Sequence, residues 1–228
     1  MKKEFNLEIF NRMLDKVVHW NAIGGNSVDN KGLIPTYVAL SREEFFGKDE
    51  FLQGWFSGDK VMQADGLGDL VFTFGFLCKL VKSEDILLTD KGIMLSGIHG
   101  RIGSISYNLL DEEDETEYWC EDLYALCLKF SEIMDVEGIF NTIYESNMSK
   151  YLDSSTFWTK EERDLVLHKD IDYIISQGRY SGISYYESNG YIVFTAEKDL
   201  QSGVVFPTPK IIKPSCFQEV TGLEQFIY

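Results

Sequence analysis

Residues 41–74 read SREEFFGKDEFLQGWFSGDKVMQADGLGDLVFTF, a stretch in which acidic residues and glycines alternate with apolar ones. Downstream, over about residues 60–82, Leu67, Leu70, Val71, Phe74, Leu77 and Cys78 recur at helical spacing. Their apolar face is broad, which predicts a central helix. Ser57-Gly58-Asp59 ahead of it is a helix stop followed by a turn. Upstream, Leu33-Ile34-Pro35 opens another helix, because proline is tolerated in a first turn. That helix is expected to run to about Phe56, with a kink or break near residues 45–48, where Gly47 interrupts it.

Carboxylates collect in this stretch. Glu43, Glu44, Asp49 and Glu50 precede the turn, and Asp65 and Asp69 follow it. Asp65 and Asp69 are four apart, so they project from one face, at a cost of a few tenths of a kcal/mol unless a cation lies between them. They border Leu67, Leu70 and Val71, at the edge of an apolar face. Glu43 and Glu50, seven apart, also share a face. Two antiparallel helices offering carboxylates to each other make an oxygen-only cage suited to Mg2+ or Mn2+. The blander reading is two solvated helix faces, and Glu43-Glu44 alone would need nothing more. Gly66 and Gly68 weigh against it, since each weakens a helix by about 1 kcal/mol and so implies the close approach of something.

Elsewhere, Phe5, Ile9, Met13, Val17 and Trp20 predict an amphipathic first helix, ended by a Gly- and Asn-rich loop at residues 23–32. After a loop at residues 83–97, helices are expected over about 98–110, 115–134, 136–150 and 159–177. Residues 182–187 and 191–195 alternate in polarity and are joined by Ser188-Asn189-Gly190, a strong hairpin signal. Residues 207–228 read as an extended segment. The expected fold class is mainly α, a helical bundle with a small C-terminal β-hairpin appendage. The expected division is a core at residues 1–158, with the last helix, hairpin and lysine-containing tail at 159–228 packed on it. Asp69-Leu70-Val71-Phe72 is echoed by Asp122-Leu123-Tyr124-Ala125, which either chance or a duplicated two-helix unit explains.

The formal net charge of −16 repels nucleic acid backbones and anionic membranes, so neither is an expected partner. No run of about 18 apolar residues is present, and residues 1–16 lack a signal peptide's apolar stretch, so a cytoplasmic chain is expected. Cys78, Cys120 and Cys127 sit among apolar residues as small core hydrophobes. With Cys216 they make no CxxC pair, and His19, His99 and His168 are scattered, so no zinc site is expected.

Three ordered motifs carry a family resemblance. Ala64-Asp65-Gly66-Leu67-Gly68-Asp69-Leu70-Val71 resembles the second acidic motif of the all-α NTP pyrophosphatase superfamily, which includes MazG-like enzymes, dimeric dUTPases and phosphoribosyl-ATP pyrophosphohydrolases. Ser146-Asn147-Met148-Ser149-Lys150 resembles a motif of its phage and bacterial branch. Lys210-Ile211-Ile212-Lys213-Pro214-Ser215-Cys216-Phe217 is similar to that branch's terminal lysine-containing segment. The first acidic motif, Glu-x-x-Glu, departs from the pattern: Glu50 fits its second half, but Gly47 stands three residues upstream. Either Glu44 supplies the other carboxylate across an insertion at residues 45–47, or Glu43 does so from one turn further away.

The resemblance implies hydrolysis of a nucleoside triphosphate to monophosphate and pyrophosphate, shaping a phage or bacterial nucleotide pool. Mg2+ or Mn2+ would be held by Glu43 or Glu44, Glu50, Asp65 and Asp69, and Glu50 would orient the water that attacks the α-phosphorus. Asn147, Lys150, Lys210 and Lys213 would contact sugar or phosphates, with Arg179 a weaker candidate; Trp20 and Asn21 are base-pocket candidates, although Trp20 reads first as a core residue. A homo-oligomer, usually a dimer, is implied, or a monomer if the chain is internally duplicated. The irregular first motif leaves open a catalytically weak or inactive nucleotide-binding regulator of the same fold.

Overall fold

The computed structural model describes residues 3–81, 98–110 and 119–228. The loop expected at residues 83–97 and the start of the helix expected from residue 115 lie outside them. The chain is mainly helical, with a small antiparallel sheet near its C-terminus. The helices are α1 (Leu7–Ile23), α2 (Ile34–Phe46), α3 (Phe51–Ser57), α4 (Lys60–Leu80), α5 (Ile98–Leu110), α6 (Trp119–Phe130), α7 (Val136–Met148) and α8 (Lys160–Ser176). The strands are β1 (Tyr151–Asp153), β2 (Tyr180–Ser181), β3 (Ser184–Ser188), β4 (Tyr191–Asp199) and β5 (Val205–Ile211). Two compact units result, the first of residues 1–21, 26–144 and 221–228, the second of residues 22–25 and 145–220.

The first unit is built around α4. Asp59 caps it, accepting from the Val61 and Met62 amides at 3.0 Å each. From Gln63 to Leu80 nearly every α4 residue is buried, with Leu70, Val71, Phe74, Phe76 and Leu77 fully so. By length and hydropathy α4 could cross a membrane, but 72% of its most apolar window is buried inside the protein, as in a core helix. α2 and α3 pack on one side of α4 and α6 on another. The break expected near residues 45–48 is present: α2 stops at Phe46 and α3 starts at Phe51.

In the second unit the expected hairpin is β3–β4, with Asn189 and Gly190 both at positive φ (49° and 81°), as a two-residue turn of this hand requires. The sheet is larger than a hairpin. Tyr191–Val193 of β4 pair with β1 on one edge and β3 on the other, and Lys198 pairs with both Ser181 of β2 and Val205 of β5. The start of the expected extended segment, residues 207–211, therefore joins the sheet within a strand. β1 and β2 were hard to foresee, being only three and two residues long. Ile192, Phe194 and Ala196 share one core with Leu167 and Ile174 of α8 and with Ile212. A capping box starts α8: Thr159 accepts from the Glu162 amide, and the Glu162 carboxylate accepts from the Thr159 amide.

Candidate functional site

The acidic residues meet because the α2–α3 junction turns the chain back on itself. Gly47 is extended (φ −61°, ψ 167°), Asp49 is left-handed (φ 65°) and Glu50 caps α3 in an extended conformation. Asp49 is held by a reciprocal pair, its amide donating to Gln53 Oε1 at 2.9 Å and Gln53 Nε2 donating to its carboxylate at 3.3 Å. A Cβ on Gly47 would stand 2.3 Å from the Glu43 carbonyl oxygen and 2.8 Å from Glu50 Cγ. Glycine at this place in the interrupted Glu-x-x-Glu motif is what lets the Glu50 side chain pass.

Across the junction Glu44 is hydrogen-bonded to Glu50, whereas Glu43 is exposed and acts on both through its charge. Burial pushes the Glu44 carboxyl up to about 8, helped by the charges of Asp69, Glu50 and Glu43 in that order. Glu50 is also raised, first by burial and then by Asp65, while its bond to Glu44 pulls the other way. Asp65 is raised by burial. The pattern of opposite effects means that Glu44 holds the proton and donates it to the Glu50 carboxylate. Asp69 links to the group through Glu44 and Asp65 through Glu50, so five carboxylates from α2, the α3 cap and α4 interact within one unit.

The close approach implied by the glycines beside the aspartates is made by the protein's own chain. A Cβ on Gly66 would lie 2.5 Å from the Phe51 nitrogen, and one on Gly68 would lie 2.0 Å from Ile143 Cδ1. What approaches is therefore the backbone that starts α3 and a side chain of α7. The effect on the site is indirect: Gly66 lets the residue after Glu50 seat against α4 one residue from Asp65. The oxygen-only donor set suits Mg2+ or Mn2+. Among the described residues, however, no three Asp, Glu, His or Cys side chains already converge in a geometry that would hold an ion.

The candidates for contacts to sugar or phosphates belong to the second unit. Ser146 Oγ donates to the Gln218 carbonyl at 2.6 Å, the Gln218 amide donates to Ser149 Oγ at 2.8 Å, and Cys216 Sγ lies 3.8 Å from the Ser149 carbonyl. Two motifs some seventy residues apart in sequence are thus stitched together. Lys150 donates to Asn147 Oδ1 at 2.6 Å and lies 5.9 Å from the Phe217 ring centre. Lys213 lies 4.0 Å from the same ring and 2.9 Å from Glu219. Lys210 instead sits on β5 over Phe206, at 5.4 Å. Sequence reasoning passed over Phe217 as the shared plate, and over buried Asp170, which accepts from the Ser215 amide at 2.8 Å. An aspartate on the α8 face that also carries Leu167 and Ile174 was the only signal for the latter.

Arg179 pairs with Asp199 at 3.0 Å and lies over Tyr180. Trp20 meets Phe72 edge-on at 5.9 Å. Asn21, 1% exposed, donates to the Val17 carbonyl and accepts from Tyr37 and Asn26, so its amide serves the fold. Asp122, the echo of Asp69, is buried against Arg101 at 2.9 Å and accepts from Ser104. A guanidinium occupies that second acidic position. No family model, curated protein or solved structure matches this chain.

Proposed function

We propose that this chain is a divalent-metal-dependent hydrolase that cleaves a nucleoside triphosphate to the monophosphate and pyrophosphate, as its likeness to the all-α NTP pyrophosphatases implies. The observation that carries the reading is the coupled group of Glu44, Glu50, Asp65 and Asp69, with Glu43 at its rim. Burial, with repulsion from Asp69, Glu50 and Glu43, raises Glu44 enough to leave it protonated near neutrality. Carboxylates gathered at such a cost are best explained by a cation that repays it. Glu44, Glu50, Asp65 and Asp69 would hold Mg2+ or Mn2+, which supplies charge neutralisation for the triphosphate and activation of water.

Of the two candidates for the first half of the acidic motif, Glu44 is the better supported, because it is the one hydrogen-bonded to Glu50. Glu50, with its carboxylate accepting that bond, is proposed to orient the attacking water. In the second unit, the motif resemblance assigns phosphate contacts to Lys150 and Lys213, and Lys150 donates to Asn147.

The test is a panel of dNTPs, dUTP and NTPs incubated with Mg2+ or Mn2+, with monophosphate and pyrophosphate resolved. A metal-dependent monophosphate product that disappears in Asp69→Asn and Glu44→Gln is expected. Absence of turnover, with nucleotide still raising the melting temperature, would replace hydrolysis by nucleotide binding. Absence of both would return the carboxylates to a structural role.

A further inference from the structure

Two buried thiols of the first unit face each other across the α4–α6 contact. A Cβ built on Gly75 of α4 would lie 3.7 Å from Leu123 Cδ2 of α6, and the Phe74 and Trp119 rings stack at 5.7 Å. Cys78 lies one turn beyond Gly75 on α4, and Cys120 lies one turn before Leu123 on α6. At that step the Cys78 and Cys120 side chains are hydrogen-bonded to each other, and neither is in a disulfide. They are 1% and 5% exposed.

We propose that Cys78 and Cys120 are a reversible redox modification site, closed to a disulfide by oxidants of the peroxide class and covalently joining α4 to α6. The pairing rests on the α4–α6 contact and on the hydrogen bond between the two thiols, and it is independent of the reaction proposed above. Cys120 is the attacking sulfur. The Cys78 S–H donates to it and holds its thiol below the ordinary value, whereas burial raises Cys78 itself. The Cys120 thiolate attacks one peroxide oxygen, the O–O bond breaks, and hydroxide leaves and is protonated to water. The resulting sulfenic acid is attacked by the Cys78 sulfur, the S–S bond forms, and the second oxygen leaves as water. Two electrons and two protons pass from the thiols to one peroxide. Cys127, one further heptad along α6, is fully buried and held high by burial, so it takes no part.

The test is graded hydrogen peroxide on the full, folded chain, followed by alkylation and peptide mass mapping without reductant. Exposed Cys216 is the internal control for oxidant exposure. The expected result is a Cys78–Cys120 cross-linked peptide two hydrogens lighter than its parts, reversed by dithiothreitol. Cys78→Ser should trap a dimedone-reactive sulfenic acid on Cys120, and Cys120→Ser should give no cross-link. Should a variant fail to fold, the wild-type map alone decides. Both thiols remaining fully alkylatable once Cys216 is oxidised would overturn the proposal, as would Cys120 oxidised to sulfinic acid without a cross-link to Cys78.

Discussion

Replacing Glu44 by Gln should stabilise the protein when divalent ions are absent, and should do so only above mildly acidic pH. A carboxyl held at about 8 rather than its ordinary 4.5 opposes folding as pH rises, because the unfolded chain ionises it first. The penalty starts near pH 4.5, has reached about 3 kcal/mol at pH 7 and saturates near 5 kcal/mol above pH 8, taking 1.36 kcal/mol per tenfold change in ionisation constant. Solvent still reaches Glu44 in part, so about 2 kcal/mol at pH 7 is the screened expectation. For a chain of this size that corresponds to roughly 4–8 °C in melting temperature. Glutamine keeps the shape and can still donate to Glu50, so the comparison isolates the charge. The assay is thermal melting of both proteins in EDTA from pH 4.5 to 9, repeated with Mg2+. The curves should coincide at pH 4.5 and separate progressively to pH 8, with Glu44→Gln the more stable, and saturating Mg2+ should narrow or reverse the gap. Parallel curves across the whole range in EDTA would refute the reasoning, since Glu44 would then titrate alike in folded and unfolded states.

Three further outcomes follow from the packing and the second unit. Gly66→Ala places a methyl against the Phe51 backbone, which cannot rotate away; a loss of about 2–3 kcal/mol in urea unfolding is expected, with weakened Mg2+ binding because Glu50 is displaced. Lys150→Ala and Lys213→Ala should each raise KM for the triphosphate several-fold in steady-state assays while leaving Mg2+ binding by the acidic group intact; unchanged KM in both would remove them as phosphate contacts. Thr159→Ala removes half of a capping box, and a cost of about 1 kcal/mol, measurable by urea unfolding, is expected without any change at the acidic group.

Much of the helical framework was legible because helix formation is governed by local periodicity. The α4 pattern, the stop at Ser57-Gly58-Asp59 and the Asn189-Gly190 turn all lie within a few residues of the structure they specify. The sheet was only half legible: β1 and β2 are too short to carry an alternating pattern, and β5 is defined by pairing with β4 rather than by its own composition. The acidic site shows the same division. The carboxylates were visible as a set, but Glu43 and Glu44 are adjacent in sequence and point about 100° apart on a helix, so periodicity could not choose between them.

By itself, then, the sequence determined a mainly helical chain, a central apolar helix carrying Asp65 and Asp69, and a terminal hairpin. Tertiary structure decided that Glu44 meets Glu50, that Gly47 and Gly66 are glycines for close approach, that Asp122 is matched by Arg101, and that Lys150 and Lys213 flank one ring at Phe217. The physical reason is common to all four. Local pattern reports which face of an element is apolar, whereas a pairing between distant residues depends on where the chain reverses, and that is set by the packing of the whole unit.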